Sequence, residues 1–115
     1  MSKINRNKIR KLILNKKSDF HKNTDLLLYL ASRNENIDKL IRKHHRKKII
    51  LIDRFIDSTI AYQHYGMGIN LKFIKIINNF LLTNIKINFT FLNIVNNKNM
   101  KKRLKNRVNL NKYDN

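Results

Sequence analysis

The sequence predicts an α/β domain built around a parallel sheet, and three observations carry that expectation. Ile49-Ile50-Leu51-Ile52 is an unbroken bulky apolar run between the basic His45-Arg46-Lys47-Lys48 and the polar Asp53-Arg54. A short run without alternation is the pattern of a strand covered on both faces, hence internal and parallel. Ile87 to Val95 is a second strand candidate, rich in aromatic and β-branched residues. The remaining apolar residues recur largely at helical spacing, so helical patterns flank both strand candidates.

Taken in order, Ile4 to Leu14 places Ile9, Leu12 and Ile13 on one side of a helix, away from most of Arg6, Lys8, Arg10 and Lys11. Asn15 to Lys22 is polar and reads as a loop. Thr24-Asp25 offers an N-cap and a first-turn carboxylate for a helix from Asp25 to His44. Its first half, Leu26-Leu27-Leu28-Tyr29-Leu30-Ala31, is apolar nearly all round and expected to be buried, whereas Ile37, Leu40 and Ile41 give the second half one apolar face. After the strand at Ile49 to Ile52, Asp57 and Ser58 are N-cap types, and Thr59, Tyr62 and Gln63 share one face of the helix that follows. Gly66 and Gly68, the only glycines, permit a tight turn. Asn70 then caps a helix through Leu82 with the stripe Leu71, Ile74, Ile77, Phe80 and Leu81, widened by Phe73 and Ile76. Asn84-Ile85-Lys86 turns into the second strand, and a strongly basic segment closes the chain.

The 115 residues bound at most one domain. Lys and Arg number 26 against 7 acidic residues, a formal net charge of +19. Such a balance points to nucleic acid, phosphorylated ligands or an anionic membrane surface. Lys, Asn and Ile recur in every segment, however, as codon bias in an AT-rich genome produces, so the charge alone selects none of these partners. There is no cysteine, which removes disulfides and thiolate metal sites and fits a reducing compartment. No apolar run approaches the roughly 18 residues of a membrane span, and the basic start lacks a signal peptide's apolar core. The expectation is a cytoplasmic protein with no membrane partner.

Asp53 and Arg54 stand at the carboxyl end of the predicted strand, where open α/β sheets bind their ligands. Ser58, Thr59, Tyr62 and Gln63 add hydroxyls and an amide close by. Tyr29 and Arg33, four apart on one helix, set an aromatic plane beside a phosphate-type donor; by spacing alone the favoured reading is a core-edge tyrosine and a solvated arginine. His44-His45 point apart on a helix and no further residue has ligand spacing, so no metal site is expected there. No Ser-His-Asp or Cys-His arrangement can be proposed either.

The run Asp53-Arg54-Phe55-Ile56-Asp57-Ser58-Thr59-Ile60-Ala61-Tyr62-Gln63, with Tyr65-Gly66-Met67-Gly68-Ile69 after it, resembles the DR(Y/F)-x-D-S-(S/T)-x-A-Y-Q-G-x-G-R-G segment of thymidylate kinases. His64 stands where that family has glycine, and Met67 where it has arginine. Ile9-Arg10-Lys11-Leu12-Ile13-Leu14 is similar to the family's I-R-x-L-L-L segment, and Leu26-Leu27-Leu28-Tyr29-x-Ala31-x-Arg33 to its L-L-L-F-x-A-x-R. The tail Arg103-x-x-x-Arg107-x-x-x-Asn111-Lys112-Tyr113-Asp114 is similar to the lid R-x-x-x-R-x-x-x-D-R-(F/Y)-E, with Asn-Lys replacing Asp-Arg.

The resemblance implies a P-loop-kinase-like three-layer fold with a parallel sheet, and transfer of the ATP γ-phosphoryl group to dTMP with Mg²⁺, for dTTP biosynthesis. It implies that Arg54 and Arg33 hold the acceptor phosphate, Tyr29 the thymine face, Thr59 and Gln63 its edge, and Tyr62 the deoxyribose, with Ser58 also among the substrate-binding residues. Asp53 takes the Walker-B-like position near the Mg-nucleotide, and Arg103, Arg107 and Lys112 close over the donor phosphates as residues 97–115 form a basic lid. It also implies a homodimer when the fold is complete. Nothing like G-x-x-x-x-G-K-S/T occurs, and two glycines so placed cannot hide one. The expectation is therefore one incomplete domain over residues 1–115: a fragment, a truncated gene or part of a split enzyme. The alternative from another class is a small basic RNA- or ribosome-binding protein using the two basic ends for weak, nonspecific nucleic-acid contact.

Overall fold

A computed structural model describes residues 2–109, with side chains from residue 5. Helix α1 (Ser2–Leu14) forms where the periodicity predicts it and packs along α2 (Lys22–Asn36). Ile13 is fully buried between them and Ile9 half-buried, while Leu12, expected in the same stripe, is half exposed. Helix α2 begins one turn earlier than its sequence signal. His21 rather than Thr24 is the N-cap, its Nδ1 accepting from the Asn23 N–H at 3.3 Å. The helix continues through a π-helical turn (Ile37–Ile41), in which the Arg42 N–H bonds to the Ile37 carbonyl, into the short α3 (Arg42–His44). The wider turn keeps both Ile37 and Ile41 in the core. The Leu26–Ala31 stretch is buried on one face only: Leu26 and Leu30 are inside, Leu27 and Ala31 outside.

Helix α4 (Ile56–Thr59) starts after Phe55 with no side-chain cap, so neither Asp57 nor Ser58 caps it; both lie within its first turn. It widens into a π-helical stretch (Ile60–Gly66) that ends with Gly68 at φ +69°, a conformation glycine adopts without steric cost. His64 Nδ1–H donates to the Ile69 carbonyl at 2.7 Å, which ties this turn to the buried Ile69. Asn70 caps α5 (Leu71–Leu81) as its sequence predicts, accepting from the Phe73 N–H at 3.2 Å. Ile74 and Leu81 are buried, whereas Phe73, Ile76 and Phe80 face outward. Leu26, Leu30, Ile37, Ile41, Ile69, Ile74 and Leu81 form the core, so α2, its π-helical extension and α5 meet around the segment that joins them.

Among the described residues there is no β-strand, so the expected sheet is not seen in them. Ile49 and Leu51 are almost fully exposed, and of that run only Ile50 packs against the core. Residues 86–95 are exposed throughout, with no backbone bond to another described segment. The cause is pairing. A β-branched apolar run becomes a strand only where a neighbour takes its N–H and C=O groups, and these two runs are not paired with one another. Helix α6 (Asn97–Lys105) follows, capped by Asn96, with no buried residue.

Candidate functional site

The site is assembled around Arg33, three turns into α2. Its Nη1 donates to Asn78 Oδ1 of α5 at 3.0 Å, and its Nη2 donates to the Phe55 carbonyl at 3.0 Å and to Thr59 Oγ1. The guanidinium also lies over the Phe55 ring, 5.4 Å from its centroid. The neutral acceptors satisfy the cation without cancelling its charge. Burial lowers its pKa to about 10, with the Asp57 carboxylate acting in the opposite direction. Arg33 is thus a half-buried, fully charged group. Three of its five N–H donors are engaged by these contacts.

Thr59 and Gln63 are each only 2% exposed, one turn apart on the face that the sequence assigned them. Tyr62, expected on that face, is partly exposed and meets Arg54 instead. Arg54 Nη1 donates to the Tyr62 hydroxyl at 3.3 Å, and its guanidinium stands 6.0 Å from the ring centroid. Arg54 has φ +58°, a left-handed conformation uncommon for a non-glycine residue and often retained at binding sites. Asp53 precedes it, exposed; Ser58 and Tyr29 are half-buried. The fold therefore makes two groupings from the predicted residues: Arg33 of α2 with Thr59, which are distant along the chain, and Arg54 with Tyr62, which are close along it.

Arg103 lies exposed in the last turn of α6 and Arg107 exposed just beyond it; neither belongs to these groupings. Lys112, and with it the end of the lid-like segment, lies outside the described residues. Met67 brings no charge to the position where arginine was expected, but Lys22 Nζ lies 3.5 Å from its carbonyl. No group of three His, Asp or Glu residues able to hold a metal ion occurs among the described residues. Asp53 is a single exposed carboxylate. That fits Mg²⁺, which is commonly bound by one or two carboxylates together with the substrate's phosphates.

Two members escaped the sequence. Asn78 sits in the apolar stripe of α5, four residues after Ile74, where its only signal is a polar residue on a buried face. Phe55 was read as part of a motif and not as a contact, because a backbone carbonyl has no side-chain signature.

A family model described as thymidylate kinase matches residues 2–115. A thymidylate kinase of Onion yellows phytoplasma is 46% identical over 87 residues, covering 72% of this chain and 41% of the relative. One from Mycoplasma mobile is 39% identical over 85 residues, covering 73% and 41%. One from an Exiguobacterium species is 36% identical over 112 residues, covering 94% and 52%. The chain thus spans about half, or less, of the length of these relatives.

Proposed function

We infer the function from the premise that this chain belongs to the thymidylate kinase family: it carries the acceptor side of a transfer of the ATP γ-phosphoryl group to dTMP, giving ADP and dTDP for dTTP biosynthesis. Such a reaction asks a protein mainly to position two nucleotides and to stabilise the charge on the moving phosphoryl group. The observation that carries the reading is the Arg33 guanidinium, charged, half-buried and oriented by Phe55, Thr59 and Asn78. In this reading Arg33 and Arg54 take the oxygens of dTMP, and Tyr29, one helical turn before Arg33, supplies a stacking plane for thymine. Gln63 and Ser58 serve its edge, and Tyr62 the deoxyribose. Thr59 acts through Arg33, since its hydroxyl already accepts from that guanidinium.

Mg²⁺ bound with ATP supplies charge neutralisation between the phosphates, and Asp53 is the residue of this chain that would hold it. Arg103, Arg107 and Lys112 would bring cations to the donor phosphates. The three-layer fold with its parallel sheet belongs to the same reading, with Ile49–Ile52 and residues 87–95 as the strands that await pairing. A second copy of the chain is the further partner.

Calorimetric titration with dTMP tests the proposal. Arg54→Ala is expected to weaken binding by about 1.5–3 kcal/mol, the usual range for a charge-assisted hydrogen bond. Unchanged affinity would remove Arg54 from the site.

A further inference from the structure

We propose that Asn78 is a positioning residue for Arg33: its amide oxygen fixes the plane of the guanidinium, and with it the direction in which a remaining N–H meets a bound nucleotide. The proposal rests on the reading of this site as a thymidylate site and adds to it a residue from α5.

Asn78 is 4% exposed and lies between Ile74 and Leu81 on the face of α5 that enters the core. Burying an amide there is costly unless it is bonded, so an aliphatic side chain would serve packing better. Composition explains asparagines at exposed positions such as Asn79, but not one placed in the core. What Asn78 gains is the 3.0 Å bond from Arg33 Nη1. The geometry shows why that bond matters. Phe55 and Thr59 bond Nη2, while the bond given to Nη1 comes from Asn78, so that end of the guanidinium is held from α5. A second element holding the other nitrogen fixes the plane. Asparagine does so without charge, whereas a carboxylate in its place would pair with the guanidinium and compete with a ligand's oxygen.

The test compares the full chain with its Asn78→Leu and Asn78→Asp variants by three measurements: thermal unfolding, nitrogen-15 NMR of the Arg33 side chain, and titration with dTMP and with thymidine. Asn78→Leu is expected to speed rotation of the Arg33 guanidinium and to weaken dTMP binding about tenfold, which corresponds to about 1.4 kcal/mol. Asn78→Asp keeps the acceptor, so it should unfold no earlier than the parent chain yet lose at least about tenfold in affinity. A purely structural asparagine would leave the aspartate variant binding normally. The proposal is overturned if Asn78→Asp binds dTMP like the parent, or if Asn78→Leu leaves the Arg33 resonances unaltered. The thymidine arm locates the acceptor: an equal loss puts it on the base, and no loss puts it on the phosphate. A parent chain that binds no dTMP defeats the thymidylate reading, and the Arg33 resonances then judge Asn78 by themselves.

Discussion

A guanidinium tolerates the burial seen at Arg33 because a pKa lowered to about 10 still leaves it charged near neutrality. The direction fixes its pH behaviour. The fold disfavours the protonated form, so stability from this group is fully present only above the unfolded value and is lost as pH falls through about 10. Below that, its contribution is constant. Any change in dTMP affinity at lower pH should therefore come from the ligand, whose phosphate loses its second proton near pH ~6. Affinity is expected to rise between about pH 5 and pH 7 and then stay level to about pH 9. Titrations across that range check this, and a decline already evident near pH 8 would show that Arg33 is not the cation the ligand meets. The sequence makes Arg33 and Thr59 legible through short motifs whose members lie close along the chain. Asn78 is not legible in the same way. It comes from 45 residues further on, and periodicity assigns its position to packing.

Helices and their caps were readable because their causes are local: the Asn70 side chain bonds three residues ahead, and the stripe of α1 needs only its own spacing. The π-helical turns left no such trace, since an extra residue in a turn is selected by what the next turn must bury, here Ile41. The strands failed for the opposite reason, their pattern being local but their existence not. One contact between elements was also invisible and has a measurable consequence. Arg42 donates from Nη2 to the Leu81 carbonyl at 2.9 Å and from Nη1 to the Thr83 carbonyl at 2.6 Å, while its Nε bonds Asp38 at 2.8 Å. It thus caps the negative end of α5 from the far end of the α2–α3 rod. Arg42→Lys keeps the charge but loses the fork, and is expected to cost about 1–2 kcal/mol. A lowered urea midpoint measures this, whereas an unchanged midpoint would mean that packing alone seats α5.

At the scale of the whole molecule, the described residues expose large apolar side chains: Ile49 and Leu51 in one run, Phe89, Phe91, Leu92 and Ile94 in the other. Surface of this kind favours association with other chains. The chemistry is short of one component as well. Phosphoryl transfer in P-loop enzymes uses consecutive backbone N–H groups around the β- and γ-phosphates, a lysine that follows the moving charge and a hydroxyl that binds Mg²⁺. None of the 115 residues forms that sequence, and lysines spread over α1 and α6 cannot reproduce an oriented cradle. Losing one such donor commonly costs about 10²–10³ in rate, so this chain assayed by itself is expected to show no dTMP phosphorylation above background. The measurement is coupled ADP release with ATP, Mg²⁺ and dTMP, repeated after adding a peptide that bears a G-x-x-x-x-G-K-S/T loop and the strand preceding it. Activity restored by the peptide would show that the exposed runs pair with an added strand and that the Arg33 site is competent. Turnover by the chain without it would show that other residues of the chain hold the donor phosphates.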